Sequence, residues 1–182
     1  MHDLRSFLQH LSRHRQLLEI DAPVDPVLES TTLSLRALRE GGPALLMNKA
    51  VGSPHAMLGN LFGHRRRIEL AIGDRPLASL HELGQLLASL KEPRWPSSLR
   101  EALHSWPELA QLAHVAPRQV DDAAFCEQVY EGDQVDLGRL PIQHCWPEDA
   151  GRLITFGLVI TRGVHQRRQN LAIYRQQVIG RN

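Results

Sequence analysis

The spacing of apolar residues changes character partway along this 182-residue chain. Up to residue 117, apolar residues recur at intervals of three and four, as on one face of an α-helix, with short apolar runs between these stretches. From residue 125 onward they alternate with polar or small residues, which is typical of β-strands. The pattern predicts an α+β fold, with an amino-terminal α/β domain over residues 1–117 and a β-rich region over residues 118–182.

Helices and buried strands are predicted to alternate in the first region. One apolar stripe predicts the first helix, at Leu4, Phe7, Leu8 and Leu11. Asp25-Pro26 has the pattern of a capping residue followed by proline at the first helical position, and Gly41-Gly42 would end that helix. Further helices are expected behind Ser79 and Ser98. Short apolar runs predict strands at 17–20, 43–47 and 57–62.

A β-hairpin is predicted in the second region. Residues 153–161 alternate in strand fashion, residues 162–169 form a polar tip, and residues 170–179 return as a strand. A shorter strand is expected at Phe125–Tyr130, closed by a turn at Glu131-Gly132-Asp133. The last strand runs almost to residue 182, and its open edge favours a native protein that continues beyond it.

Several function classes lack support in the sequence. The formal net charge is +1, which gives no strong field for nucleic acid. Phosphate-binding glycine loops and the common hydrolase motifs do not occur. Cys126 and Cys145 lack Cys-x-x-Cys spacing, which favours reduced thiols. The chain starts without an apolar signal core, and no apolar run approaches the ~20 residues of a spanning helix, so a cytoplasmic protein is expected.

Three polar groups have both a functional and a structural interpretation. His10 and His14 have helical spacing that suits a metal, although solvated surface residues are the commoner case. The cluster His64-Arg65-Arg66-Arg67 could hold a phosphate or an acidic headgroup, or could be a solvated helix start. Arg175 lies within a predicted strand and needs either an anionic partner or open water. Periodicity alone favours an edge strand with one wet face.

The sequence closely resembles the UbiD decarboxylases along essentially all of its length. The versions of the motifs at 146–149 and 173–177 are most similar to those of the ubiquinone-pathway members. The stretches that carry the resemblance are Gly41–Leu46, Gly59–Gly63, Leu90–Pro93, Pro141–Ala150, Leu153–Gly157 and Arg168–Gln177.

The resemblance implies a fold and an activity. It implies an amino-terminal α/β domain, then the first part of a split β-barrel related to flavin reductases, with prenylated FMN and a divalent metal, usually Mn2+, as cofactors. The implied reaction is non-oxidative decarboxylation of 4-hydroxy-3-polyprenylbenzoate to 2-polyprenylphenol in ubiquinone biosynthesis. A flavin prenyltransferase would supply the cofactor. Peripheral contact with the inner face of the plasma membrane and a homo-oligomer are implied as well.

Five positions of this chain match functional positions of the family. Asn170 matches an asparagine metal ligand, and an amide oxygen is a suitable donor for manganese. Ile173, Tyr174 and Arg175 match the stretch that lines the cofactor, and Thr155 matches a position on the preceding strand. The resemblance assigns a catalytic role to Arg175, whose fixed charge would orient the substrate carboxylate.

The sequence departs from the family pattern in its extent. The family's other metal ligands, a His and a Glu, and its acid–base carboxylates lie further along than Asn182. We therefore expect these 182 residues to bind metal and cofactor weakly or not at all, without turnover. Two alternatives stay open: a decarboxylase for a small phenolic or cinnamic acid, and a non-catalytic flavin-binding fragment.

Overall fold

A computed structural model describes residues 3–91, 127–166 and 168–182. The chain divides into two compact units, one formed by Met1–Arg75 with Glu131–Asn182 and the other by Pro76–Tyr130. The helices and small sheets confirm the predicted α+β class. The predicted boundary between residues 117 and 118 and the helix expected behind Ser98 lie outside the described residues and stay predictions.

The described elements follow the chain in a simple order. The helices are α1 (Leu4–Arg13), α2 (Glu29–Arg39), α3 (Arg65–Ala71) and α4 (Ser79–Lys91). The strands are β1 (Leu17–Val24), β2 (Ala44–Ala50), β3 (Met57–Gly59), β4 (Leu153–Arg162) and β5 (Gln169–Gln177). Short 3-10 turns occupy Gly132–Gln134 and Leu137–Arg139.

The first sheet is small and mixed. Strands β1 and β2 are parallel and joined through α2, whereas β3 pairs antiparallel with β2, which gives the order β1-β2-β3. Two apolar clusters form its core. The first consists of Phe7, Leu11, Ala44 and Leu70, and the second of Val24, Met47, Ala50 and Met57.

Helix α1 has well-defined signals at both ends. Asp3 caps it, with Oδ1 accepting from the Ser6 amide at 2.7 Å, and the Ser6 hydroxyl completes a capping box. At the other end Arg15 adopts a left-handed φ of 56°. The Arg15 amide donates to the Ser12 carbonyl and the Gln16 amide to the Leu11 carbonyl, which is the bonding of a Schellman motif.

Helix α2 begins later than the sequence predicts. Asp25 does not cap it: its Oδ1 accepts from the Val27 amide at 2.7 Å and closes a local turn. Leu28, at a φ of 64°, is the N-cap, and the helix starts at Glu29. The predicted role of Pro26 as the first helical residue is therefore wrong. Its carbonyl instead accepts a hydrogen bond from His144, far along the chain.

The predicted hairpin is confirmed as β4 and β5, paired antiparallel. The turn at Glu131-Gly132-Asp133 is confirmed too, with Gly132 at a φ of 55°. The strand predicted at Phe125–Tyr130 is wrong over its described part, because residues 127–130 form a bend and irregular chain.

None of the described helices has the length and apolar character needed to cross a membrane.

Candidate functional site

The β4–β5 hairpin carries every site residue that the sequence predicts. Its register pairs Leu158 with Ile173, Gly157 with Tyr174 and Thr161 with Asn170. Because neighbouring side chains in a strand point to opposite faces, these pairs assign each residue to a face. Asn170 and Tyr174 lie on one face of the hairpin. Ile173 and Arg175 lie on the other.

A β-bulge changes the alternation at the base of β4. The register shifts between the pairs Ile154–Gln176 and Gly157–Tyr174, so Thr155 and Phe156 together oppose Arg175 alone. The bulge transfers Ile154 to the face of Tyr174, whereas Phe156 stays on the face of Arg175. In a regular strand Ile154 and Phe156, two positions apart, would share a face. The bulge puts them on opposite faces.

A cleft of about 280 Å³ lies beside this bulge. Thr155 and Phe156 line it from β4, Met57 lines it from β3, and Pro141 and Gln143 complete its wall. Thr155 is the one predicted site residue that reaches this cleft. The other four predicted site residues lie on β5 and are exposed to solvent.

The face of Arg175 is apolar and largely open. Its large side chains pair across the strands, Leu158 with Ile173 and Ile160 with Leu171, and all four are more than half exposed. Phe156 extends this face toward the first sheet, where its ring lies 6.2 Å from that of Phe62. Among the described residues the Arg175 guanidinium has no ion-pair partner, and its charge faces solvent.

Backbone and side-chain hydrogen bonds hold the hairpin base to the turn before α2 and to the start of α2. The His144 amide donates to the Pro26 carbonyl at 3.1 Å, and the Leu28 amide donates to the His144 carbonyl at 2.9 Å. The Gln143 amide nitrogen donates to the hydroxyl of the fully buried Ser30 at 3.0 Å. Leu153 then donates to the Gln143 carbonyl, which joins this anchor directly to β4.

Sequence reasoning did not identify these anchoring residues as a group. Gln143 and His144 belong to a stretch that carries the family resemblance, but the partners of that stretch lie more than a hundred positions earlier. Ser30 is one of two serines in α2, and no local pattern distinguishes it from Ser34. The His144 Nε2 atom is buried and has no hydrogen-bond partner among the described residues.

The hairpin fits a flavin better than it fits a metal on its own. Within the described residues β5 pairs only with β4, so backbone donors and acceptors line its other edge. Ile173 and Tyr174 flank that edge from opposite faces, which suits a planar heterocycle with hydrogen-bonding groups. A hard divalent cation needs about six oxygen ligands, and Asn170 supplies one. The part of the chain that the structure describes contains no cluster of three His, Cys, Asp or Glu side chains that could hold a metal.

Two other polar groups were considered as sites from the sequence: the pair His10 and His14, and the cluster His64–Arg67. The ring centroids of His10 and His14 lie 4.3 Å apart with the rings tilted by 54°, and a hydrogen bond joins the His14 Nδ1 atom to the His10 carbonyl. In the cluster His64–Arg67, the prediction of a solvated helix start is wrong for Arg67, which is fully buried. His64 caps α3 through Nδ1.

Two sequence models of one family match the chain. The model of the 3-octaprenyl-4-hydroxybenzoate carboxy-lyase N-terminal domain matches residues 8–87. The model of the 3-octaprenyl-4-hydroxybenzoate carboxy-lyase Rift-related domain matches residues 118–182. Because these ranges together include most of the sequence in the family's order, the chain belongs to the UbiD family.

Solved structures of UbiD-class proteins share the fold. The chain is 26% identical to the UbiD-class enzyme HmfF from Pelotomaculum thermopropionicum in complex with FMN, at a TM-score of 0.75 over 98% of this chain and 35% of that one. An evolved dimeric form of HmfF in complex with prFMN gives 26% identity and a TM-score of 0.74, over 100% of this chain and 37% of that one. The apo 3,4-dihydroxybenzoic acid decarboxylase from Enterobacter cloacae gives 27% identity and a TM-score of 0.70, over 100% of this chain and 35% of that one. This chain thus spans 35–37% of the length of these structures.

Proposed function

We propose that this protein is a non-oxidative decarboxylase that acts on 4-hydroxy-3-polyprenylbenzoate in ubiquinone biosynthesis. The observation that carries the proposal is the hairpin, where a polar strand bearing Asn170 and Arg175 lies opposite a bulge at Thr155. Membership of the UbiD family supports the reaction class. The substrate rests on the sequence resemblance at 146–149 and 173–177.

Arg175 is the residue proposed to act on the substrate. A guanidinium is planar and charged at all accessible pH values, so it can bind a carboxylate through two parallel hydrogen bonds. Its position opposite Thr155 and Phe156 places it at the bulge, and its charge has no ion-pair partner among the described residues. An unpaired guanidinium is available to orient the carboxylate that leaves as carbon dioxide.

Thr155, Ile173 and Tyr174 are proposed to hold prenylated FMN. The free edge of β5 would donate and accept hydrogen bonds at the cofactor, and the two side chains would flank it. When bound, the modified flavin supplies an electron sink for decarboxylation. Similarity to an HmfF structure that contains prFMN supports this assignment.

Asn170 is proposed as a ligand of the divalent metal, with Mn2+ as the expected ion. Its amide oxygen is a suitable hard donor. The described residues do not complete such a site.

A second substrate class has its own support. The similar structures include decarboxylases named for 3,4-dihydroxybenzoic acid, a small aromatic acid without a prenyl tail. A decarboxylase for a small phenolic or cinnamic acid is therefore the alternative, and a non-catalytic flavin-binding product is a third. With a polyprenyl substrate, the protein would work in peripheral contact with the cytoplasmic face of the membrane. A flavin prenyltransferase supplier and a homo-oligomer belong to the same proposal.

Deletion of the gene in its own organism tests the proposal on the protein as it exists there. The expected result is loss of ubiquinone with accumulation of 4-hydroxy-3-polyprenylbenzoate, measured by mass spectrometry. A chromosomal Arg175→Lys substitution should reproduce both effects, because lysine cannot form the two parallel bonds. Arg162→Lys, at the other end of the hairpin, is the matched control and should leave both metabolites unchanged.

Each alternative has a distinct outcome in the same experiment. Accumulation of an aromatic acid without a prenyl tail, with normal ubiquinone, would replace the proposed substrate by the small-acid alternative. If no acid accumulates and ubiquinone is normal, the protein is not a decarboxylase of either class. In that case, flavin bound to the purified protein would support the non-catalytic interpretation.

A further inference from the structure

A second cleft, which we call the arginine cleft, lies at the base of the hairpin, where Arg152 and Val178 line it. It has a volume of about 570 Å³ and is lined by the turn at 136–139, the loop at 52–54 and the chain on either side of the hairpin. It shares Ile142 with the cleft beside Thr155. None of the predicted site residues lines it.

Positive charge dominates the arginine cleft. Arg139, Arg152 and Arg181 line it, and Asp136 is the one acidic residue among its lining residues. Arginines therefore outnumber acidic residues by three to one among the residues that line this concave part of the surface. Concave clefts of one charge sign concentrate their field and attract small ions of the opposite sign.

Asp136 is already engaged within the cleft. Its Oδ2 accepts from Arg181 Nη2 at 2.7 Å, and its Oδ1 accepts from the Gly138 amide at 2.9 Å. The nearby Arg181 and Arg139 guanidiniums hold the pKa of Asp136 below its usual value. Among the described residues the ion pair of Asp136 is made with Arg181 and not with Arg152.

The backbone of each arginine is fixed by another segment of the cleft. The Ser53 hydroxyl donates to the Arg139 carbonyl at 2.6 Å. The Val178 amide donates to the Arg152 carbonyl at 2.9 Å, and the Leu137 amide donates to the Arg181 carbonyl at 2.8 Å. The starting points of the three side chains are therefore set by the fold, and all three residues are exposed.

The rest of the lining is apolar or glycine. Ile142 is buried, and Pro54, Leu137 and Val178 line the cleft with it. Gly52 and Gly180 leave backbone exposed, because an added Cβ at Gly52 would meet nothing within 4 Å and one at Gly180 only the Asn182 carbonyl oxygen at 3.7 Å. Exposed arginines together with an apolar lining match a ligand with an anionic group and a small apolar body.

We propose that the arginine cleft binds a phosphomonoester, with Arg139 and Arg152 on the phosphate and the apolar body against Ile142. Guanidiniums favour phosphate because their paired N–H groups match two oxygens of the anion. The same chemistry is offered by a soluble organic phosphate and by the headgroup of phosphatidic acid. The site is independent of the decarboxylase proposal, because it uses none of the same residues.

Titration of the 182-residue chain with phenyl phosphate, at constant ionic strength and followed by amide NMR, tests the site. We expect saturable shifts around 136–139 and 152, with millimolar affinity because the charges are exposed. The double variant Arg139→Gln/Arg152→Gln should bind at least about tenfold more weakly, because both guanidinium contacts are lost. Arg162→Gln, also exposed and on the hairpin, is the control and should bind like the parent.

The outcomes separate the proposal from its failure. Unsaturable shifts, or equal affinity of the double variant and the control, would overturn it. If the double variant loses its native amide spectrum, the single variants Arg139→Gln and Arg152→Gln make the same comparison. Sedimentation with phosphatidic acid vesicles, compared with phosphatidylcholine vesicles, distinguishes the two sources of the phosphate. Binding to the acidic vesicles that the double variant loses identifies the lipid. Binding of phenyl phosphate without binding to the acidic vesicles identifies a soluble ester.

Discussion

Arg67 shows how a single side chain can join four segments of a small domain. Its guanidinium is 0% exposed and donates to the carbonyls of Leu61, Gly42 and Asn60, each at 2.9 Å. A weaker bond at 3.4 Å reaches the Gln16 side chain. No carboxylate contributes to these bonds, so carbonyl dipoles alone offset the loss of water. Burial lowers the pKa of Arg67 from its usual value.

Replacement of Arg67 by methionine should destabilise the fold strongly. The substitution keeps much of the volume but removes the 2.9 Å donor from all three carbonyls. Gly42 and Asn60 keep longer bonds, from Asn60 Nδ2 at 3.3 Å and from the Gly63 amide at 3.4 Å. We expect a loss of about 3 kcal/mol in the free energy of unfolding. Urea unfolding followed by circular dichroism measures it. Arg65→Met is the matched control in the same helix, where an exposed pair with Glu69 contributes about 0.5 kcal/mol or less. Equal losses for both variants would refute the role assigned to Arg67.

Asp136 should make the stability of the fold depend on acidic pH. The hydrogen bond from Arg181 lowers the folded pKa of Asp136 below its ordinary 3.8. The carboxylate therefore stabilises the folded state above the unfolded pKa, and this contribution disappears as the pH falls through the lower, folded pKa. Arg181→Gln should raise the pKa of Asp136 toward its ordinary value, as measured by NMR titration of its side-chain carbonyl carbon. Arg162→Gln should leave that pKa unchanged, and an identical shift in both variants would exclude the ion pair as the cause.

Among the elements, the contact between α2 and β3 depends on a glycine. A Cβ added to Gly59 would overlap the hydroxyl of Ser34 and lie 3.3 Å from Met47 Cε. The helix can therefore approach the strand this closely only where no side chain intervenes. This explains in physical terms why a glycine occupies a position in one of the stretches that resemble the UbiD family.

Gly59→Ala should cost about 1–3 kcal/mol of stability, because the helix and the strand must move apart. The free energy from urea unfolding measures the cost. Gly84→Ala is the control: Gly84 lies in α4 with nothing within 4 Å of an added Cβ. That substitution should stabilise α4 by about 1 kcal/mol, measured by amide hydrogen exchange. If Gly59→Ala leaves the free energy of unfolding unchanged, the contact between α2 and β3 is not tight.

The sequence predicted the elements better than their ends and faces. The stripe of α1 and the alternation of β4 are repeated local signals, and both elements were confirmed. The start of α2 was misplaced because the capping pattern at Asp25 is equally compatible with a turn, and the pairing with His144 selects the turn. The bulge at Thr155 is also invisible in the sequence, since it depends on the register with β5.

For the whole molecule, metal binding tests whether these 182 residues form a complete metal site. We expect Mn2+ to bind with no more than weak, millimolar affinity, because Asn170 supplies one of the about six ligands that such an ion requires. Isothermal titration with MnCl2 measures it, with Asn170→Ala as the comparison. Stoichiometric micromolar binding that Asn170→Ala removes would show a complete site and contradict the expectation of a weak one.

Local patterns of residue types were sufficient to predict the strongly periodic helices and strands, the α+β class and the family, because each depends on residues at short or fixed spacing. Tertiary structure alone decided that Arg67 is buried while Arg65 is exposed, since the partners of Arg67 come from segments up to 51 positions away. It likewise decided which site residues share a face and that three arginines meet in one cleft. These properties depend on register and on packing between distant segments, and no local pattern in a single sequence encodes either.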